Sequence, residues 1–284
     1  MASVRQPVLE RMTQPAPFAE IRAPEIAARL VSARLDARAL EAYPGPPPAT
    51  LEQGYLIQDV AIHVWPDEIA GWKIGLVPSA LRETLKSDRV AGPIFSRTVR
   101  KASSVVEFPV FEGGFAAVEA EFVFRMGKDA PAGKTSWTED EAASLVAALH
   151  IGVETAGSPM SFINDMGPTA VASDFGNNFG LILGGEVDKW RERLKDLRAK
   201  TEIDRKTVGE GSAMSLPGGP MAGLTFLLSH LAERGRPLQA GQYVSSGAVT
   251  GVHDIIAGQT ANVSFGPDGQ IACRAVKAQP AGAK

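Results

Sequence analysis

The sequence predicts an α+β fold, a mixed β-sandwich or roll preceded by a small helical subdomain. Three observations predict it. From Gly71 onward short β-type runs recur, each bounded by glycine or proline. Few helical periodicities interrupt them, so the pattern lacks the regular alternation of a doubly wound sheet. Between the last two runs, Gly266-Pro267-Asp268-Gly269 is a strong hairpin turn.

Residues 1–24 hold Pro7, Pro15, Pro17 and Pro24 among scattered charges, and read as an N-terminal arm. Residues 25–70 read as the helical subdomain. Its first helix runs from Glu25 to Glu41 with Pro24 marking the start, and Ile26, Leu30, Leu35 and Leu40 recur near helical spacing. Tyr43-Pro-Gly-Pro-Pro-Pro48 breaks it. Thr50 caps a second helix that buries Ile57, Val60, Ala61 and Val64. Residues 71–280 read as a β-rich domain. Its runs are Gly71–Leu76, Ser104–Phe108, Ala117–Arg125, Phe179–Leu183, Gln242–Val249, Ala261–Phe265 and Gln270–Val276. One helix starts at Thr138, paired with Glu141 in a capping box, and runs toward His150. Another, Pro220 to Arg234, is apolar at Leu224, Leu227, Leu228 and Leu231.

Bulk properties narrow the function. A chain of 284 residues, 44% hydrophobic and 21% charged, is an ordinary soluble globular protein with room for one large core. A net charge of −3 supplies no field for polyanions, which argues against nucleic acid. No apolar stretch approaches the roughly 20 residues that span a bilayer. Met1 to Glu20 lacks the apolar segment of a secretory signal, and a single cysteine, Cys273, forbids an intrachain disulfide. A cytoplasmic location and a buried, structural thiol are expected.

Chemistry concentrates in Val118-Glu119-Ala120-Glu121-Phe122-Val123-Phe124. On a strand, residues i and i+2 share a face, so both carboxylates project together while Val118, Ala120, Phe122 and Phe124 line the other side. Adjacent like charges repel. The face is either solvated or holds a cation, and an oxygen-only site suits a hard ion such as Mg²⁺ or Mn²⁺. Glu154 sits in an apolar-flanked run between Gly152 and Gly157. Lys73, in Gly71-Trp-Lys-Ile-Gly-Leu76, either snorkels to water or meets an anionic ligand as a buried cation. Among the four histidines none forms an H-E-x-x-H pair, and neither a P-loop nor a G-x-S-x-G elbow is present. His150 and His230 read as structural residues on helices. His253, beside Asp254 in a loop, is the remaining acid/base candidate.

In this order the segments Gly71-Trp-Lys-Ile-Gly-Leu76, Val118-Glu-Ala-Glu-Phe122 and Val153-Glu-Thr-Ala-Gly-Ser158 resemble the fumarylacetoacetate hydrolase superfamily. The likeness is to its 2-keto-4-pentenoate hydratase and 4-oxalocrotonate decarboxylase branch, from about Ile26 to Val276. Weaker support comes from Gly209-Glu-Gly-Ser212 and from Pro237-Leu-Gln-Ala-Gly241 leading into Ser245–Gly251. The resemblance implies Glu119, Glu121 and Glu154 as metal ligands and Lys73 as the catalytic residue holding substrate beside the ion. Ser245, Ser246 and Gly247 resemble a substrate-binding loop, or are simply a glycine-rich strand end. A 2-oxo or 2-hydroxydienoate acid from aromatic catabolism is the implied small-molecule substrate. A homo-oligomer and a partner enzyme of the same pathway are implied as well.

The reaction implied is hydration. The alternatives are decarboxylation of a 4-oxalocrotonate-type diacid and a non-catalytic metal-binding paralogue. Three departures bear on that choice. Val90 stands where hydratases of this branch carry an acid, and Gly218-Gly219-Pro220 lacks a histidine. Ser158 to Asp174 contains no lysine or arginine, which counts against carbon–carbon bond hydrolysis.

Overall fold

A computed structural model describes residues 18–282. The elements run α1 (Phe18–Leu35), α2 (Leu51–Val64), β1 (Ile69–Leu76), α3 (Arg82–Leu85), β2 (Arg89–Phe95), β3 (Val99–Lys101), β4 (Val106–Val110) and β5 (Phe115–Met126). Then follow α4 (Glu139–Ala143), β6 (Val146–Ser158), α5 (Pro168–Ser173), β7 (Asn178–Glu186), α6 (Trp190–Arg193), β8 (Arg198–Ile203) and β9 (Lys206–Ser212). The chain ends through α7 (Gly219–Glu233), β10 (Tyr243–Ser245), β11 (His253–Asp254), β12 (Thr260–Ser264) and β13 (Gln270–Lys277). The expected α+β class is what forms. An eight-stranded mixed sheet has the order β2-β1-β10-β5-β6-β7-β3, with β11 added against β5. A five-stranded sheet has the order β4-β13-β12-β8-β9.

The alternation along β5 sorts its residues between two environments. Val118, Ala120, Phe122 and Phe124 join the main core with Ala199, Val263, Ile271 and Cys273 of the smaller sheet, and with the leucines of α7. Burial pushes the Cys273 thiol up to about 12, so it is inert packing. On the opposite face, Phe115 and Ala117 pack with Ile26, Leu30, Ile57 and Ala61 of α1 and α2. Glu119 and Glu121 occupy that same face one step further along.

Several boundaries differ from expectation. The arm predicted for residues 1–24 lies outside the described residues up to residue 17, and residues 18–24 belong to α1. Pro24 is therefore inside the helix, where its missing N–H forfeits one i→i−4 bond. The Thr138–Glu141 capping box forms, yet the helix it opens ends at Ala143. From Val146 the chain is β6, which pairs antiparallel with β5 from end to end. Its β-branched residues and twelve-residue β5 partner outweigh the helical reading. His150 is consequently a strand residue, its Nδ1 lying 3.1 Å from the Gly184 carbonyl.

The run expected over Gln242–Val249 is regular strand only at Tyr243–Ser245. Strands β2, β3, β6, β8, β9 and β11 lie outside the runs the sequence predicts. In β2 the glycine and proline disguise the pattern, but Pro93 is tolerated because β2 is a sheet edge. No helix among the described residues is long and apolar enough to cross a membrane.

Candidate metal centre

Four consecutive strands of the large sheet, β1, β10, β5 and β6, build the site. Glu119 of β5 lies directly opposite Glu154 of β6. Lys73 of β1 is in register with Ser245 of β10, and Ser245 with Val123 of β5. Residues opposite one another share a face, so Lys73, Ser245, Glu119, Glu121 and Glu154 all point the same way. Trp72 and Ile74, flanking Lys73, point into the main core. Where β6 meets β7 the register shifts between His150 and Gly152 and again between Glu154 and Ala156, an irregularity beside Glu154.

All three glutamates are buried, and one carboxylate oxygen from each lies within 4.8 Å of the others. Glu121 Oε2 accepts from the Ser245 hydroxyl at 2.8 Å and the Gly247 N–H at 2.7 Å. Glu154 Oε1 accepts from Asn178 Nδ2 at 3.0 Å and faces the Lys73 ammonium at 3.2 Å. The other oxygens, Glu121 Oε1 and Glu154 Oε2, are buried without a partner. Buried carboxylate oxygens without partners are costly, so they mark a place built for something else. An all-oxygen donor set with two oxygens free fits a hard divalent ion.

The electrostatics agree. Burial, with Glu154 adding repulsion and Lys73 opposing, raises the Glu119 carboxyl from its ordinary 4.5 to about 7. Glu121 is pushed well above the usual range, first by burial and then by Glu154 and Glu119. Burial alone would lower the Lys73 ammonium, but the three carboxylates outweigh it and raise it. One lysine against three carboxylates leaves the cluster short of positive charge.

A cavity of about 510 Å³ opens onto this cluster, lined in part by Lys73, Glu119, Asn177 and Gly247. Asn177 belongs to a turn no motif announced. Phe175, Gly176 and Asn177 are successive left-handed residues with φ of 55°, 62° and 50°. The turn aims Asn177 at the site, with Oδ1 3.5 Å from Lys73 Nζ and Nδ2 donating to Asn164 Oδ1 at 3.0 Å. Gly92 permits this turn: a Cβ there would come within 2.0 Å of the Phe175 carbonyl oxygen. Gly-Asn-Asn is turn-prone in sequence, but nothing local joined it to Lys73.

The other expected residues separate. Ser245 and Gly247 hold Glu121, whereas the Ser246 hydroxyl donates to the Phe122 carbonyl at 2.6 Å. His253 is not brought to the cavity. It pairs with Val118 on β11, its Nε2–H donates to the Thr250 carbonyl at 2.9 Å, and its ring packs on Gly209.

No known family's sequence model matches the chain. Among solved structures the chain is similar to 4-oxalocrotonate decarboxylase from Pseudomonas putida G7 complexed with magnesium and adipate. Identity is 19%, the TM-score 0.74, and 89% of this chain and 97% of that one are covered. The same decarboxylase complexed with calcium and acetate matches at 18% identity, TM-score 0.74 and the same coverage. The fold is that of the fumarylacetoacetate hydrolase superfamily. Fumarylpyruvate hydrolase from Pseudomonas aeruginosa, in complex with Mn²⁺ and pyruvate, is similar over 76% of this chain and 94% of its own. There the TM-score is 0.54 and the identity 14%.

Within this fumarylacetoacetate hydrolase fold, a buried ion pair ties α1 to the cluster. Arg34 Nε lies 2.6 Å from Asp174 Oδ1, and Arg34 also donates to the carbonyls of Gly157, Asp174 and Asn178. Ser158 donates to the remaining Asp174 oxygen at 2.6 Å. The pair thus clamps the end of β6, the left-handed turn and the residue that orients Glu154. Removing one partner of a buried pair strands the other. Arg34→Met is therefore expected to lower stability by about 3–5 kcal/mol in urea unfolding. A loss below about 1 kcal/mol would show the clamp to be dispensable.

Proposed function

We propose that the protein is a divalent-metal-dependent lyase that adds water to a 2-hydroxy-2,4-dienoate or its 2-oxo-enoate form, as in aromatic catabolism. The carrying observation is the buried Glu119–Glu121–Glu154 cluster with two unpartnered oxygens, beside Lys73 and open to a cavity. Those three residues would hold Mg²⁺ or Mn²⁺, which when bound supplies Lewis-acid polarisation of the substrate's 2-oxygen. The Lys73 ammonium holds the substrate's acid head, already oriented by Glu154 and Asn177. Ser245 and the Gly247 N–H keep Glu121 in place, and Asn178 does the same for Glu154.

Val90 lines the cavity where the family resemblance expects an acid, so the far carbon needs another proton route. Asp165, exposed and on the same lining, is the ionisable side chain there besides Lys73 and Glu119. We extend the reading to a homo-oligomer, which light scattering of a stable monomer would overturn.

A second reading, decarboxylation of a 2-oxo diacid, is favoured by the similarity to the adipate-bound decarboxylase. An ultraviolet assay with Mg²⁺ separates the two. We expect hydroxypentadienoate absorbance to be lost without release of CO₂. CO₂ formation from oxalocrotonate as the faster reaction would support the decarboxylase, and turnover of neither would sink both.

A further inference from the structure

We propose that this site selects a 2-oxo acid whose tail is long, apolar and uncharged. The inference rests on the metal-dependent reading above and concerns the aliphatic share of the cavity wall. Leu76, Leu81, Val90, Val171, Leu216 and Val252 supply it. Three of them keep exposed apolar surface: Leu76 is 40% exposed, Leu81 38% and Val252 54%. Large aliphatic side chains at the mouth of a polar site are surface that a ligand tail can remove from water.

Charge argues in the same direction. Among the described residues Lys73 is the one cation on the lining, and Glu154, Asn177 and the acid head of the substrate engage it. Arg82 and Arg89, on the flanking elements, are not on the lining: they donate to the Val77 and Pro217 carbonyls, and Arg89 also pairs with Asp88. Asp165 adds negative charge to the lining. A second carboxylate on the tail would leave water for aliphatic walls and a like charge, with no second cation among the described lining residues to compensate it. A diacid must enter before it can lose CO₂, so this penalty falls on any decarboxylase substrate as well.

Size separates a short tail from a long one. The cavity of about 510 Å³ falls in the roughly 300–1,000 Å³ range that accommodates drug-sized ligands. A five-carbon dienoate would leave the outer leucines uncovered. The tail that fits reaches Leu81 and Val252.

Calorimetry on the Mg²⁺-loaded protein with pyruvate, 2-oxooctanoate and 2-oxoadipate tests this. A fully buried methylene is worth roughly fourfold in affinity, so partial burial of the longer tail predicts tightening on the order of a hundredfold from pyruvate to 2-oxooctanoate. 2-Oxoadipate should bind no tighter than pyruvate. Leu81→Arg, at an exposed position that the fold does not depend on, should weaken 2-oxooctanoate and strengthen 2-oxoadipate several-fold. Leu216→Arg should do the same closer to the head. Pyruvate binding with no preference among tails, or tighter binding of 2-oxoadipate than of 2-oxooctanoate, would overturn the tail assignment alone. Absence of pyruvate binding to a metal-loaded protein would instead remove the oxo-acid reading and this inference with it.

Discussion

Replacing any one of Glu119, Glu121 or Glu154 by alanine is expected to abolish metal-dependent turnover and to weaken Mg²⁺ or Mn²⁺ binding by at least on the order of a hundredfold. The fold should survive. Each glutamate is buried among like charges, so its removal relieves repulsion at the same time as it deletes a ligand. Glu121→Ala carries an added cost, because the Ser245 hydroxyl and the Gly247 N–H lose their acceptor. Glu121→Gln keeps an acceptor there and separates loss of charge from loss of packing. Unchanged ion binding by calorimetry in any alanine variant would remove that residue from the ligand set.

The same cluster fixes the sign of a pH effect. Because burial raises the Glu119 carboxyl to about 7 from 4.5, the folded, metal-free protein binds more protons than the unfolded chain between those values. Its stability must therefore fall as pH rises through that window, and Glu121 acts in the same direction. A divalent ion favours the ionised carboxylates and returns what was lost. Mn²⁺ or Mg²⁺ should accordingly raise Tm more at about pH 8 than at about pH 5. A shift equal at both, or larger in acid, would contradict the charged cluster.

What was legible follows from which periodicities are local. The paired face of Glu119 and Glu121 can be read directly, because a period of two needs only five residues to declare itself. The flanking Trp72 and Ile74 likewise set Lys73 apart from its strand's core face. Glu154 is legible as a candidate, but the helix expected from Thr138 toward His150 hides the strand that carries it. The Thr138 cap is real, and the strand that follows is settled by pairing with β5, whose partner residues lie twenty or more positions away. Arg34 and Asn178 carried no local signal at all. One meets the other's carbonyl 144 residues along the chain, and only the packing of α1 against the sheet brings them together. His253 shows the converse: a loop position next to an acid looks catalytic in sequence, yet its imidazole is consumed by the Thr250 carbonyl.

Lys73→Met is expected to lower turnover by on the order of a hundredfold or more, the loss of one preorganised charged donor. The methionine preserves the stem's packing between the β1 neighbours. Lys73 is 4% exposed and its ammonium faces Glu154 at 3.2 Å, so the charge does not reach bulk water in the way a snorkelling lysine does. That geometry leaves two roles, neutralising the carboxylates or holding the substrate's acid head, and they predict different measurements. A neutralising lysine competes with the divalent ion for the same negative charge. Its removal would then tighten metal binding, destabilise the metal-free protein at alkaline pH and leave the loaded enzyme's kinetics within a few-fold of normal. A lysine that holds substrate would also release the ion's competitor, but it would cost kcat/KM and pyruvate affinity together. Metal affinity retained or increased alongside a hundredfold loss of kcat/KM is the expected result. Near-normal steady-state kinetics for Lys73→Met would leave the neutralising role as the whole function of the residue.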